Sequence, residues 1–279
     1  MRINTNVPSI NAQRNLTQTL LSGASAKQKL SSAVRINTAA DDAAGLSISE
    51  KMRGQIGGLE MASRNSSDSV SLIQTAEGAL TESHSILQRM RELAVQSSND
   101  TYTDSDRNEL QAEVKQLQSE LTRIGNTTEF NTKALLNGGA GGHDGDELGD
   151  AIMTQVGANS GQNMFMSIGD MRAGALGVEG VNVGTRDGAA AAISTLDSAI
   201  EAVSSQRSAL GAVQNGLEHT IRSIDVAAEN TQAAESRIRD ADMAKAVMEN
   251  TRDSIMRQAS LAMIAQANQK PQNVFSLLK

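Results

Sequence analysis

The residues that could do chemistry are few and badly placed for it. Asp41-Asp42 is the most tempting carboxylate pair, but neighbours on a helix diverge and cannot face one substrate. A charge effect at a helix start, with Thr38 as the cap, is the better reading. The three histidines, His84, His143 and His219, are scattered, and no His-Glu-x-x-His occurs, so the expectation is no metal site. The glycine-rich middle has no Gly-Lys-Ser/Thr ending to cradle a phosphate. Zero cysteine removes disulfides, thiolate ligands and cysteine nucleophiles together. The reading is no cofactor and no catalysis.

Composition points instead to long thin helices. The 279 residues are 39% hydrophobic, but only Tyr102, Phe130, Phe165 and Phe275 are aromatic and tryptophan is absent. Ala, Leu, Ile, Val and Met suit helix-to-helix seams better than a thick core, and the twelve methionines read as seam filler. With 25 basic and 32 acidic residues the net charge is -7, which argues against wrapping nucleic acid. The N-terminus lacks an apolar signal region, and no stretch approaches the roughly 18 apolar residues of a membrane span. No membrane partner is expected, and secretion would take a route other than a cleaved signal.

Both prolines, Pro8 and Pro271, stand at the extremes of the chain, so ring chemistry stops no helix between them. Glycine makes the break: a stretch from Gly138 to about Gly188 reads as loop and short strand. Within it, Gln155-Val156-Gly157-Ala158 and Met164-Phe165-Met166-Ser167-Ile168, separated by Asn159-Ser160-Gly161, predict a β-hairpin.

The flanking arms carry heptads. Leu196, Ile200, Val203, Leu210, Leu217, Ile221, Ile224 and Ala228 fall on steps of four and three, with Arg207 and Gln214 polar on the same seam. Met52, Leu59, Ile73, Leu80, Leu87 and Ala94 share one phase, broken by Ser66, with Ile56 and Val70 as companions. A helix over about 46–98 would be roughly 80 Å long. A third segment, with Leu110, Val114, Leu117, Leu121 and Ile124, opens at Thr103 with Asp106 three residues on, a capping-box start. These three must bundle into a rod whose seam includes Leu87, Leu117, Leu210, Leu217 and Ile221. Two terminal stretches, about 3–35 and 238–278, are also amphipathic and look too thin to fold separately.

Motifs at both ends resemble one family, the bacterial flagellins. They are Met1-Arg2-Ile3-Asn4-Thr5-Asn6, Ser9-Ile10-Asn11-Ala12-Gln13-Arg14-Asn15-Leu16 and Arg35-Ile36-Asn37-Thr38-Ala39-Ala40-Asp41-Asp42-Ala43-Ala44-Gly45-Leu46-Ser47-Ile48 in the first arm. Gln88-Arg89-Met90-Arg91-Glu92-Leu93-Ala94-Val95-Gln96, Ser236-Arg237-Ile238-Arg239-Asp240-Ala241-Asp242-Met243-Ala244 and Gln266-Ala267-Asn268-Gln269-Lys270-Pro271-Gln272-Asn273-Val274 complete the set. The resemblance covers about 1–140 and 185–279.

What it implies is a mainly α, antiparallel helical bundle with a small β-hairpin region, close to the family's minimal core. Residues 1–42 and 236–279 would pair as the inner tube of a filament, packing through Ile10, Leu20, Leu21, Val247, Ile255, Met263, Val274 and Leu277. Residues 43–140 and 185–235 would form a helical outer-core domain, and 141–184 its glycine-rich hairpin. The function implied is an extracellular structural subunit that polymerises into the flagellar filament after export, unfolded, through the flagellum's own channel. The partners implied are other copies of the chain, hook-junction and cap proteins, an export chaperone at the C-terminal region, and the flagellin-sensing Toll-like receptor, whose contact surface matches Gln88, Arg89, Leu93 and Glu113. The hook-filament junction protein of the same superfamily is the nearest alternative, and a secreted adhesin or hydrolase a more distant one.

Overall fold

A computed structural model describes residues 6–138 and 151–277, with side chains described as far as residue 269. His143 and most of the glycine run at 138–142 lie outside the described residues, as do the side chains of Val274 and Leu277. The elements in order are α1 (Val7–Ser32), α2 (Ala43–Ser97), α3 (Asp104–Thr127), β1 (Glu129–Phe130), β2 (Lys133–Ala134), β3 (Ala151–Gln155), β4 (Asn163–Ser167), α4 (Arg186–Arg239) and α5 (Met243–Leu277). The chain divides into two compact units, Met1–Ile56 with Glu229–Lys279, and Gly57–Ala228. The division therefore falls inside α2 and α4, not at the loops.

In the first unit α1 packs along α5. Asn6 caps α1 by accepting from the Ser9 amide, and Pro8 occupies the first turn, where its missing N–H costs nothing. Ala33, in the left-handed conformation, ends the helix. The two connecting turns are tied together: the Arg35 amide donates to the Arg239 carbonyl at 2.6 Å and the Ala241 amide to the Ala33 carbonyl at 3.1 Å. Arg239 also pairs with Glu50 at 2.7 Å, so the last turns of α4 and first turns of α2 belong to this unit. The cap of α2 is not Thr38. Asp42 accepts from the Gly45 amide, whereas the Thr38 amide and hydroxyl both donate to Asp41, which thereby orders the turn before the helix. Gly45 fits closely here: an added Cβ would lie 2.5 Å from Asp42 Oδ2 and 2.7 Å from Ile36 Cδ1, so those side chains would have to move.

The second unit holds a large buried cluster drawn from α2, α3, α4 and the segments between α3 and α4, and a small one of Leu59, Ala62 and Ile224. Of the predicted heptad phase in α2, Leu59, Ser66, Ile73, Leu80, Leu87 and Ala94 are buried, whereas Met52 is only half-buried. Ser66 is tolerated because its hydroxyl donates to the Ala62 carbonyl one turn back. The companion row differs from the expected Ile56 and Val70. It consists of Ala62, Ser69, Ala76, Ser83, Met90 and Ser97, mostly small side chains that let neighbouring elements approach closely. In α4, Leu196, Val203, Leu210, Leu217 and Ile224 are buried at every seventh position. Ile221 is only half-buried, and Leu117 is partly buried against the cluster.

Thr103 and Asp106 form the expected capping box at the start of α3. Buried Arg107 then donates to the carbonyls of Ser97 and Asn99, satisfying the otherwise orphan end of α2. Asn131 and Thr132, both at positive φ, make the tight turn between β1 and β2, a hairpin the sequence reading missed.

The β3–β4 hairpin pairs antiparallel, Gln155 opposite Asn163 and Ala151 opposite Ser167. Its second strand lies within one residue of expectation. The first is displaced: Val156-Gly157-Ala158 belong to the turn, and the strand comes from Ala151-Ile152-Met153-Thr154 before them. The turn is wide because Gln155 and Gln162 side chains bond its backbone at Gly157 and Asn159. The following segment is more than loop. Ile168, Met171, Ala173, Val178, Val181 and Val183 enter the core, held by Gln118 donating to the Val178 carbonyl and Ser97 to the Val183 carbonyl.

Candidate assembly surfaces

Two surfaces are candidates for contact with other molecules. The first lies on α2 and α3 in the second unit. Arg89 donates from Nε to Glu113 at 2.9 Å and pairs with Glu92 at 3.2 Å. The Glu113 bond, then the Glu92 bond, holds the Arg89 guanidinium above its usual pKa, so its charge is constant at any working pH. Gln88 is exposed beside it and meets the His84 ring at 3.0 Å. Leu93 does not share this face. It is 1% exposed, a member of the same buried cluster as Leu87 and Met90. The exposed patch is therefore Gln88, Arg89 and Glu113, with Leu93 beneath.

The second surface is the α1–α5 pair. Turned toward one another are Ser9, Ala12, Leu16, Thr19, Gly23, Ala26 and Leu30 of α1, all at least half-buried, at alternating steps of three and four. From α5 the fully buried positions are Ala246, Asp253, Ser260 and Ala267, seven residues apart. Polar bonds join the helices: Asn6 donates to the Ala267 carbonyl at 2.9 Å, Ser9 to Asn268 at 3.0 Å, and Ser22 to Asp253 at 2.7 Å. A cleft of about 210 Å³ runs beside this last bond, bordered by Thr19, Lys27, Asn250 and Arg257.

Apart from Leu16 and Leu30, most of the large apolar side chains of both helices point elsewhere. Val7, Ile10, Leu20 and Leu21 on α1, and Val247, Met248, Ile255, Met256, Leu261 and Met263 on α5, are about half exposed or more, up to 69% for Leu21. Single exposed apolar residues are ordinary, but ten on two paired helices form a surface that calls for a partner.

The comparisons decide the family. The bacterial flagellin N-terminal helical region matches residues 3–140, and the flagellin C-terminal helical region matches 193–278. The chain belongs to the bacterial flagellin family. A flagellin of Halalkalibacterium halodurans is 54% identical over 281 residues, and that of Bacillus subtilis 49% over 307, each across the whole of both chains. The flagellar filament 31.3 kDa core protein of Treponema maltophilum is 46% identical, again over both whole chains. Among solved structures, Bacillus cereus flagellin aligns with a TM-score of 0.50 at 31% identity, over 58% of this chain and 88% of that one. A flagellar hook-associated protein of Vibrio parahaemolyticus shares the fold alone, at 13% identity and a TM-score of 0.58 over 72% of this chain and all of the other. As a flagellin, the chain is a structural subunit of the extracellular flagellar filament. Among the described residues no helix is long and apolar enough to cross a membrane.

Proposed function

We propose that the α1–α5 pair builds the inner tube of the filament and becomes fully ordered only there. The observation that carries this reading is the division of labour on the two helices: apart from Leu16 and Leu30, small and polar side chains fill their mutual seam, while Ile10, Leu20, Leu21, Val247, Ile255 and Met263 face outward. A seam of that kind buries too little apolar surface to fold by itself. The outward residues supply the missing burial when neighbouring subunits close over them. The Gly57–Ala228 unit, with its own cluster, acts as the outer core and carries no catalytic role.

Export follows the same physics, because a cysteine-free chain with weakly self-sufficient ends passes readily through a narrow channel unfolded. An export chaperone covering the apolar residues of α5 would keep them from aggregating beforehand, and junction and cap proteins would meet the same surfaces at the filament's ends. The Gln88–Arg89–Glu113 patch is the face offered to the Toll-like receptor by free subunits.

Seeded polymerisation followed by electron microscopy tests the reading. Leu21→Asp with Met248→Asp should leave the circular dichroism melt of the free subunit unchanged and prevent filament growth. Normal filaments from this double variant would contradict the inner-tube assignment.

A further inference from the structure

The α1–α5 seam has a weakness that its own composition creates. Along α5 the buried positions recur at heptad spacing as Ala246, Asp253, Ser260 and Ala267. Small residues on this row of α5 fit almost equally well after a slide of one heptad, so their own packing discriminates poorly between registers. One residue on that row is different. Asp253 is a carboxylic acid side chain only 9% exposed; its Oδ2 accepts from the Ser22 hydroxyl at 2.7 Å and its Oδ1 lies 3.7 Å from the Arg252 guanidinium of the same helix. Opposite it stands Gly23, where an added Cβ would lie 3.7 Å from Asp253 Cβ, so the two backbones run close at this level.

We infer that Asp253 sets the register of the α1–α5 pair, an inference that rests on the pair forming in the filament as proposed above. Because the helices run antiparallel, sliding by one heptad brings Asp253 opposite Leu16 or Leu30 in place of Gly23. The first slide also replaces Ser22 by Asn15. The second brings Lys29 there, but Leu30 would then hold the helices apart where Gly23 lets them close. In either case Asp253 keeps Arg252 beside it, but its close fit against Gly23 is lost and a leucine side chain is laid over the carboxylate. Burying a carboxylate against leucine in place of a hydroxyl donor and a glycine disfavours the shifted state by about tenfold or more. Asp253 therefore contributes selectivity between registers more than strength, the role best attested for a polar residue on a heptad seam.

The absence of cysteine makes the test clean. Filaments are assembled from full-length chains carrying one of three cysteine pairs. Ser9→Cys with Asn268→Cys reports the observed register. Ser9→Cys with Leu261→Cys, and Leu16→Cys with Asn268→Cys, report the two slides. After mild oxidation the filaments are dissociated, and the intrachain disulfide yield is read by mass. With Asp253 present the observed pair should dominate by about tenfold or more. Asp253→Ala, or Asp253→Ser should the alanine chain not assemble, should bring a shifted pair to within about threefold of it. Asp253→Asn, which keeps an acceptor for Ser22, should restore the preference. Continued dominance of the observed pair in the alanine and serine chains would overturn the role given to Asp253. Filaments in which no pair cross-links, even with Asp253 present, would instead remove the α1–α5 pairing on which the inference stands, and the inference with it.

Discussion

The seam between α1 and α5 and the cluster inside Gly57–Ala228 are both heptad-spaced, yet they are filled with opposite kinds of side chain. The cluster stacks Leu80, Leu87, Leu196, Leu210 and Leu217 at or near zero exposure. The seam stacks mostly small or polar side chains, Gly23, Ala26, Ala246, Asp253, Ser260 and Ala267 beside Leu16 and Leu30, and turns Leu20, Leu21, Leu261 and Met263 outward. At about 25 cal/mol per Å² of apolar surface buried, the first arrangement supports a fold by itself and the second does not. The same periodicity thus accompanies a filled cluster in one unit and, on the proposed reading, half of an interface in the other.

The largest effect should come from a single residue of the complete element. Leu217→Ala removes a fully buried side chain at the middle of the α4 row and should cost about 2 to 5 kcal/mol, read as a clear fall in the free subunit's melting temperature. Deleting residues 259–279 removes far more chain, yet should shift that same transition by no more than about 0.5 kcal/mol while abolishing polymerisation. A deletion that melts the free subunit as severely as Leu217→Ala would erase the distinction between the two regions. Gln214→Ala is a finer probe. Gln214 is half-buried and bonded to Glu218 on its own helix, so its loss should fall within about 0.5 kcal/mol. Severe loss at Gln214 with a harmless Leu217→Ala would mean that the α4 register is drawn on the wrong face.

The smallest effect concerns acid. Backbone amides of Thr38 and Asn37 hold the Asp41 carboxyl below its ordinary pKa, and the Arg239 hydrogen bond does the same for Glu50. A carboxylate whose pKa is lower when folded contributes stability that is complete above its unfolded value and is lost as pH falls through the folded one. Both groups are exposed and screened, so the contribution is modest. The turns joining α1 to α2 and α4 to α5 should therefore loosen only below the ordinary carboxylate values of 3.8 and 4.5. Measured between pH 7 and 3, filament disassembly by Glu50→Gln should show a shallower acid dependence than wild type, and an identical dependence would remove Glu50 from the explanation.

What could be read from the sequence was whatever is local or strongly periodic. The heptad rows of α2 and α4, the Thr103–Asp106 box and the second strand of the hairpin depend on neighbours within a few residues. The misses share a cause, that burial there is decided by tertiary approach. Ala62, Ser69 and Ser83 look indifferent to hydrophobic spacing, and they are buried because small side chains suit a close approach. Leu93 sits within a charged run, Arg91-Glu92 on one side, and its own spacing to Leu72 and Ile86 was the available sign that it faces inward. The glycine-rich character of the middle hid the spaced apolar residues Ile168, Met171, Val178, Val181 and Val183 that anchor it. The inward face of α1 and α5 was masked by the more conspicuous apolar face beside it.

Hydrogen–deuterium exchange, compared between free subunit and filament, tests the central claim most directly. In the free subunit, amides of α2 around Leu80–Leu93 and of α4 around Leu196–Leu217 should be strongly protected, while those of α1 and α5 exchange quickly; in the filament all four should be protected. Protection of α1 and α5 in the free subunit equal to that of α2 would show that the polar seam folds unaided, and would contradict the account.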